Sequence, residues 1–97
     1  MPTNQNVGQL LRAARERRGE SLRGAASGLG VDPSHLLRVE AGRKHPSSEL
    51  RRAASDYFGL DPDAVVLAAG SAPADILEIL HQNPALVAEI RARYGRR

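Results

Sequence analysis

Helix start and stop signals recur so often along this chain that only short helices fit between them. Glycine ends helices readily because it tolerates positive φ, and it follows successive apolar stretches at Gly19, Gly30, Gly42 and Gly59. Capping residues precede the stretches, three of them with the proline that favours a first helical turn: Ser21, Asp32-Pro33, Ser47, Asp61-Pro62 and Asn83-Pro84. No alternating or β-branched run indicates a strand. This punctuation predicts an all-α chain.

The spacing of apolar residues predicts seven helices. They run over Asn6–Arg18, Ser21–Leu29, Pro33–Ala41, from Ser47 or Ser48 to Gly59, a short stretch after Asp61-Pro62, Pro73–His81, and onward from Asn83-Pro84. We expect Asp32 to be the N-cap of the third helix. Gly24 and Gly28 lie inside the second helix, where each costs roughly 1 kcal/mol relative to alanine. Their presence makes sense if another backbone approaches closely, and is otherwise a weakness of this helix.

Composition predicts a thin core and excludes several classes of protein. Aromatic residues are 3% of the 97 residues, so burial depends on aliphatic side chains and alanine. We therefore expect either oligomerisation or C-terminal helices folded back onto the rest. The chain has no cysteine, which excludes disulfides and thiolate metal sites. No run approaches the roughly 20 apolar residues of a membrane span, and residues 1–8 do not resemble a signal peptide, so the expected compartment is the cytoplasm.

The positive charge is concentrated in the first part of the chain. The formal net charge is +3. Residues 1–60 hold ten basic and six acidic side chains, whereas residues 61–97 hold four and five. A basic excess of this kind is typical of a nucleic-acid-binding face. An ordinary solvated surface would look the same, so charge alone leaves both interpretations open.

The second and third predicted helices form a helix-turn-helix pattern. The segment Gly30–Pro33 is short enough to hold one helix across the other, with Leu36 and Val39 facing inward. The outer face of the third helix is then free to enter a DNA major groove, which is about 12 Å wide.

These residues resemble the helix-turn-helix of the Cro/lambda-repressor type, the XRE family. The resemblance covers about Val7–Ala69. It is carried by Ala26, Leu29-Gly30-Val31, Leu36, Arg38-Val39-Glu40, Gly42, Arg43-Lys44, Pro46-Ser47, Leu50–Gly59 and Asp61-Pro62-Asp63, together with Arg15 and Gly19 in the first helix. It implies a lambda-repressor-like five-helix DNA-binding domain with two additional C-terminal helices. We expect the domain to span residues 1–69 and the helical extension residues 70–97.

The resemblance assigns roles to individual residues. It implies base contacts from Pro33, Ser34, His35 and Arg38. Arg38 is the strongest candidate, because a guanidinium can bind guanine O6 and N7 together. It implies phosphate contacts from two segments, Ser21-Leu22-Arg23 at the start of the second helix and Arg43-Lys44-His45 in the basic loop. Arg15 and Glu40 are expected to form a structural ion pair.

Two departures from the family pattern stand out. Leu22 occupies a position where many relatives have glutamine, so one hydrogen bond available to them is missing here. Glu20 occupies a position that is usually apolar, which we expect to weaken the core.

Three functions remain open. The leading hypothesis is a transcriptional repressor that binds a palindromic operator in double-stranded DNA as a homodimer. Its candidate dimerisation residues are Ile76, Leu80, Leu86, Val87 and Ile90, which could instead pack within the chain onto the fifth helix. The second is an antitoxin whose C-terminal helices bind a toxin protein. The third is a helical interaction module that never contacts DNA.

An enzyme is the least favoured interpretation. No paired carboxylates, nucleophile constellation or phosphate-binding glycine loop is present. His35, His45 and His81 lie in separate elements without metal-ligand spacing. We therefore predict no catalytic residue, no cofactor, no metal and no membrane partner.

Overall fold

The computed structural model describes residues 6–95, which form seven α-helices and, in that range, no β-strand. The helices are α1 Val7–Arg17, α2 Leu22–Leu29, α3 Pro33–Glu40, α4 Ser48–Phe58, α5 Pro62–Ala68, α6 Ala74–Gln82 and α7 Ala85–Tyr94. The predicted all-α architecture of five helices followed by two more is confirmed. No helix in the described part of the chain has the length and apolar character needed to cross a membrane.

The helix ends follow the local signals in the sequence. Ser21 Oγ accepts a hydrogen bond from the Gly24 amide at 3.0 Å, and Ser47 Oγ accepts one from the Leu50 amide at 3.0 Å. Gly30 adopts φ 75° at the end of α2, a left-handed conformation that costs glycine little. Each boundary differs from its prediction by one or two residues at most.

The core lies among α1–α5, which we call the five-helix body. It is aliphatic and rich in alanine: Val7, Leu11, Ala14, Ala25, Ala26, Leu29, Leu36, Val39, Leu50, Ala54 and Val65 are buried. α1 packs against α3, α4 and α5, and α2 packs against α3 and α4. Gly8 makes the α1–α3 contact possible, because a Cβ there would lie 2.3 Å from the Val39 carbonyl oxygen.

The last two helices stand apart from the body. α6 and α7 pack against each other, and we call them the C-terminal hairpin. Within residues 6–95 neither packs substantially against α1–α5, and neither contains a buried residue. The molecule measures 45 × 29 × 23 Å, with a radius of gyration of 15.4 Å. A compact chain of 100 residues would have about 13 Å. The folded-back hairpin that the thin core suggested is not what the structure shows.

A polar cluster joins α1, α2 and α4, and it changes the interpretation of Gly28 and Glu20. The close neighbour of Gly28 is the ring of Tyr57, not a backbone: a Cβ on Gly28 would lie 2.3 Å from Tyr57 Cε1. The Tyr57 hydroxyl donates a hydrogen bond to Glu20. This bond and burial of the hydroxyl raise the pKa of Tyr57. Glu20 therefore makes a specific contact at a position where the sequence predicted a weakness.

Arg18 completes the cluster from the end of α1. Its guanidinium lies 4.5 Å from the centre of the Tyr57 ring and donates a hydrogen bond to the Tyr57 carbonyl oxygen. Arg18 Nε is 3.5 Å from Glu20 Oε1, an ion-pair distance without hydrogen-bond geometry. The half-buried rings of Tyr57 and Phe58 pack edge to face with centres 5.1 Å apart. Two of the three aromatic side chains thus lie at the edge of the core.

Candidate nucleic-acid interface

α3 is anchored on one side and open on the other. Leu36 and Val39 are each 1% exposed and face α1 and α2. With about 100° between successive residues, the opposite side of α3 carries Ser34, Leu37, Arg38 and Ala41, all of them exposed. The first turn, with Pro33 and His35, is half-buried. The sequence therefore folds into a helix whose outer face can enter a groove.

A buried ion pair holds α3 against α1. Arg15 Nε donates to Glu40 Oε2 at 2.8 Å and Arg15 Nη2 donates to Glu40 Oε1 at 2.9 Å, so the pair is bidentate. The side chains are 15% and 5% exposed. The hydrogen bond to Glu40 raises the pKa of Arg15. Arg15 Nη1 also donates to the Glu20 carbonyl oxygen at 3.0 Å, which ties the α1–α2 turn to the same contact. The structure thus brings the two residues of the predicted pair together.

The start of α3 combines the expected N-cap residue with an unexpected side-chain contact. Asp32 has the extended backbone of an N-cap residue, but its side chain accepts no hydrogen bond from a helix amide. Asp32 Oδ2 instead accepts from Ser34 Oγ at 2.8 Å. Because this bond uses the hydroxyl proton, Ser34 presents lone pairs toward solvent. Asp32 therefore holds the predicted N-cap position without a side-chain bond to a helix amide, and Ser34 is set up as a hydrogen-bond acceptor.

The start of α2 offers free backbone donors. Ser21 Oγ satisfies the Gly24 amide and the Ser21 carbonyl accepts from Ala25. The amides of Leu22 and Arg23 have no hydrogen-bond partner among residues 6–95. Two free amides at a helix N-terminus favour an anion such as phosphate. Arg23 is exposed beside them, whereas Leu22 is half-buried and packs against the core.

The loop after α3 presents three exposed basic side chains, Arg43, Lys44 and His45. The Arg43 amide donates to the Arg38 carbonyl at 2.9 Å, so the loop continues directly from the end of α3. Its far end is fixed because Pro46 is buried and its carbonyl accepts from Arg51 Nη1 at 2.9 Å. The sequence did not indicate this role for Arg51. The basic residues thus lie on a loop held at both ends.

The structure distributes the predicted contacts over three adjoining segments: the outer face of α3, the start of α2 and the loop after α3. Their exposed basic side chains are Arg23, Arg38, Arg43 and Lys44. The guanidinium of Arg38 makes no hydrogen bond or ion pair with any residue of the described range. Among those residues no three His, Asp or Glu side chains lie close enough together to hold a metal ion.

Comparisons with known proteins agree with this geometry. A family described as "Helix-turn-helix domain" matches residues 6–68. The chain belongs to this helix-turn-helix family. The chain is 35% identical over 79 residues to the "Transcriptional regulator ClgR" of two strains of Mycobacterium tuberculosis. The aligned segment covers 81% of this chain and 70% of each relative. The chain is therefore a DNA-binding helix-turn-helix transcriptional regulator, and the XRE-family resemblance is confirmed.

A solved structure extends the likeness to the C-terminal hairpin. The crystal structure of the clp gene regulator ClgR from Corynebacterium glutamicum superposes with a TM-score of 0.59 at 26% identity. The match covers 98% of this helix-turn-helix regulator and 98% of that chain. The likeness therefore includes α6 and α7 and is not confined to the five-helix body.

The sequence missed one exposed residue of α3. Leu37 was not among the expected contacts, yet its side chain is 54% exposed between the faces that carry Pro33 and Arg38. A count of helical angles from Leu36 and Val39 would have found it, because Leu37 lies opposite the buried side. The sequence analysis used Leu36 and Val39 only to find the buried side of the helix, and it took the DNA contacts only from the family resemblance.

Proposed function

We propose that this regulator is a repressor that binds a palindromic operator as a homodimer, with α3 of each copy in the major groove. The observation that supports this most strongly is that one molecule has both an exposed outer face on α3 and apolar hairpin residues that the five-helix body does not cover. A dimer would place two α3 helices about 34 Å apart, one turn of DNA. The proposal includes a cytoplasmic location, where the DNA is, and no enzymatic activity.

The DNA contacts divide into base readout and phosphate contacts. We assign base readout to Pro33, Ser34, His35 and Arg38, with Arg38 binding a guanine through both of its terminal nitrogens. We assign phosphate contacts to the start of α2, through Ser21, Leu22 and Arg23, and to the loop residues Arg43, Lys44 and His45. The free amides of α2 and the absence of any partner for the Arg38 guanidinium within residues 6–95 support this division.

The hairpin supplies the dimer contact. Ile76 and Ile90 are 43% and 50% exposed, and the half-buried Leu80, Leu86 and Val87 adjoin them. A further copy of the chain would remove this apolar surface from water at roughly 25 cal/mol per Å². We accordingly treat residues 1–69 as the DNA-binding unit and residues 70–97 as the dimerisation unit.

Binding experiments test the DNA assignment. A duplex selected from a random pool should bind with an affinity that falls steeply with salt. Arg38→Ala should cost about 1–3 kcal/mol at one base pair, whereas Lys44→Ala should weaken all sequences alike and reduce the slope of log affinity against log salt by about 1 for each copy. Arg12→Ala is the charge-matched control, because Arg12 pairs with Glu16 at 3.1 Å on α1. Equal losses for Arg38→Ala on every duplex would contradict base readout by this residue.

Molecular mass in solution tests the dimer. The wild-type chain should sediment at twice 10.4 kDa, and Ile90→Glu should reduce it to the monomer. Leu37→Glu is the matched control, since Leu37 is equally apolar and exposed but lies on α3. A monomeric wild-type chain that binds its operator only together with a second protein would instead favour the antitoxin function, with a toxin covering the hairpin.

A further inference from the structure

We infer that Leu37 determines sequence specificity by contacting the C5-methyl group of a thymine beside the guanine read by Arg38. The inference rests on the proposed DNA-binding mode of α3. It assigns one contact to the exposed side chain of Leu37, the methyl group of a thymine in the major groove of the DNA duplex.

The position of Leu37 on α3 is the first observation. Pro33, Leu37 and Ala41 are four residues apart, so each lies about 40° further around the helix than the one before it. Ser34 and Arg38 form a second row beside them. The outer face of α3, continued by its C-cap residue Ala41, is therefore divided lengthwise into an apolar strip, Pro33–Leu37–Ala41, and a polar strip, Ser34–Arg38.

The exposure of Leu37 is the second observation. Its side chain is 54% exposed, and it is the large apolar side chain that the outer face of α3 presents to solvent. Single exposed leucines are common on proteins and need no explanation by themselves. Leu37 differs because it lies on the helix that enters the groove, one residue from the guanidinium of Arg38. In the complex it would face base edges instead of water.

The chemistry of the major groove supplies the matching group. Thymine is the only base that presents a methyl group there, beside the acceptor and donor atoms of the other base edges. A leucine cannot hydrogen-bond, so a cytosine or adenine amino group facing it would lose its water without replacement. The apolar strip therefore discriminates through contact with thymine and through the penalty for the alternatives.

The polar strip restricts the neighbouring positions. The Ser34 hydroxyl donates its hydrogen bond to Asp32, so toward DNA it can only accept, which suits the amino group of cytosine or adenine. Arg38 can only donate, which suits guanine. The polar strip thus requires a base-edge donor opposite Ser34 and base-edge acceptors opposite Arg38. The apolar strip requires a thymine methyl group opposite Leu37.

Replacement of single thymines by deoxyuridine tests the inference, because uracil lacks only the methyl group. In the selected operator, uracil at one thymine of a half-site should weaken binding of the wild-type regulator about threefold to tenfold, the value of one buried methyl group, and the same change in both half-sites should multiply the two losses. Leu37→Ala should bind the thymine and uracil duplexes equally at that position. Leu67→Ala should keep the full wild-type ratio, since Leu67 is 59% exposed on α5 and outside the α3 face.

The possible failures can be told apart. If uracil has no effect at any thymine while Arg38→Ala still abolishes the guanine preference, the inference about Leu37 is overturned and the DNA-binding mode stands. An unchanged thymine-to-uracil ratio in Leu37→Ala also overturns it. If no duplex is preferred over any other, the proposed function fails together with the inference.

Discussion

The five-helix body and the C-terminal hairpin are both helical, yet they are held together in opposite ways. The body has an aliphatic core, a buried bidentate ion pair and close backbone approach at Gly8. The hairpin has two helices that contact each other and no buried residue. The body contains its own stabilising contacts, whereas the apolar residues of the hairpin stay exposed or half-buried. Substitutions in the two regions should therefore affect different measurements.

The largest effect is expected where a charge is buried in the body. Arg15→Ala leaves the 5%-exposed Glu40 carboxylate without its partner, and such a change costs about 3 kcal/mol of unfolding free energy. Urea unfolding followed by circular dichroism measures it. Arg12→Ala, which breaks the exposed pair with Glu16 on the same helix, should cost at most about 0.5 kcal/mol. Similar losses for the two variants would show that burial of the pair is unimportant.

Close packing in the body gives the next largest effect. Gly8→Ala places a methyl group 2.3 Å from the Val39 carbonyl oxygen and should cost about 1–3 kcal/mol, because backbone must move. Gly28→Ala is the comparison: its methyl group meets the outer end of the Tyr57 side chain, which must shift from its contacts with Glu20 and Arg18, while alanine regains roughly 1 kcal/mol of helix propensity. We expect Gly28→Ala to cost less than Gly8→Ala, because a side chain moves more easily than a backbone carbonyl. The same unfolding assay decides, and a larger loss at Gly28 would contradict this ranking.

The hairpin should respond to protein concentration instead. If a second copy covers it, a tenfold rise in concentration stabilises the folded dimer by about 1.4 kcal/mol and raises the thermal midpoint. Ile90→Glu should remove this dependence while leaving the body folded. Leu37→Glu, on the exposed face of α3, should keep it. A midpoint of the wild-type chain that is independent of concentration would indicate that the hairpin is not covered by a further copy.

The same contrast shows what the sequence could predict. Helix ends depend on neighbouring residues, so Ser21, Gly30 and Ser47 were informative on their own. The contacts of Gly8 and Gly28 depend on residues far along the chain, Val39 and Tyr57, and no local pattern encodes them. For Gly28 the pattern suggested the close approach of a backbone, whereas the group that approaches is the Tyr57 side chain.

The candidate site shows a second reason why some contacts could not be predicted from the sequence. The family pattern located α3 and the basic loop because their spacing is short and regular. It could not show that the Asp32 carboxylate binds the Ser34 hydroxyl instead of a helix amide, since both choices lie within reach of the same residue. Apolar periodicity in α6 and α7 likewise predicted amphipathic helices without saying what their apolar residues contact. Whether such residues face the chain itself or a partner depends on tertiary packing.

The smallest expected effect is a pH dependence at the edge of the body. The hydrogen bond from the Tyr57 hydroxyl to Glu20 raises the pKa of Tyr57, so folding favours the protonated phenol. The stabilisation is complete below the ordinary tyrosine pKa of about 10 and is lost as the pH rises through the higher folded-state value. Stability measured between pH 8 and 11, a range set by that ordinary value of about 10, should therefore fall at the alkaline end.

Tyr57→Phe should remove that alkaline component, because a phenyl ring has no proton to lose. Tyr94→Phe is the matched control in the hairpin, where the Tyr94 ring is 72% exposed. Since the Tyr57 ring is only half-buried, solvent screens the contact and the effect should be smaller than that of the Arg15–Glu40 pair. An alkaline loss that survives in Tyr57→Phe but disappears in Tyr94→Phe would move the titrating contact from the body to the hairpin.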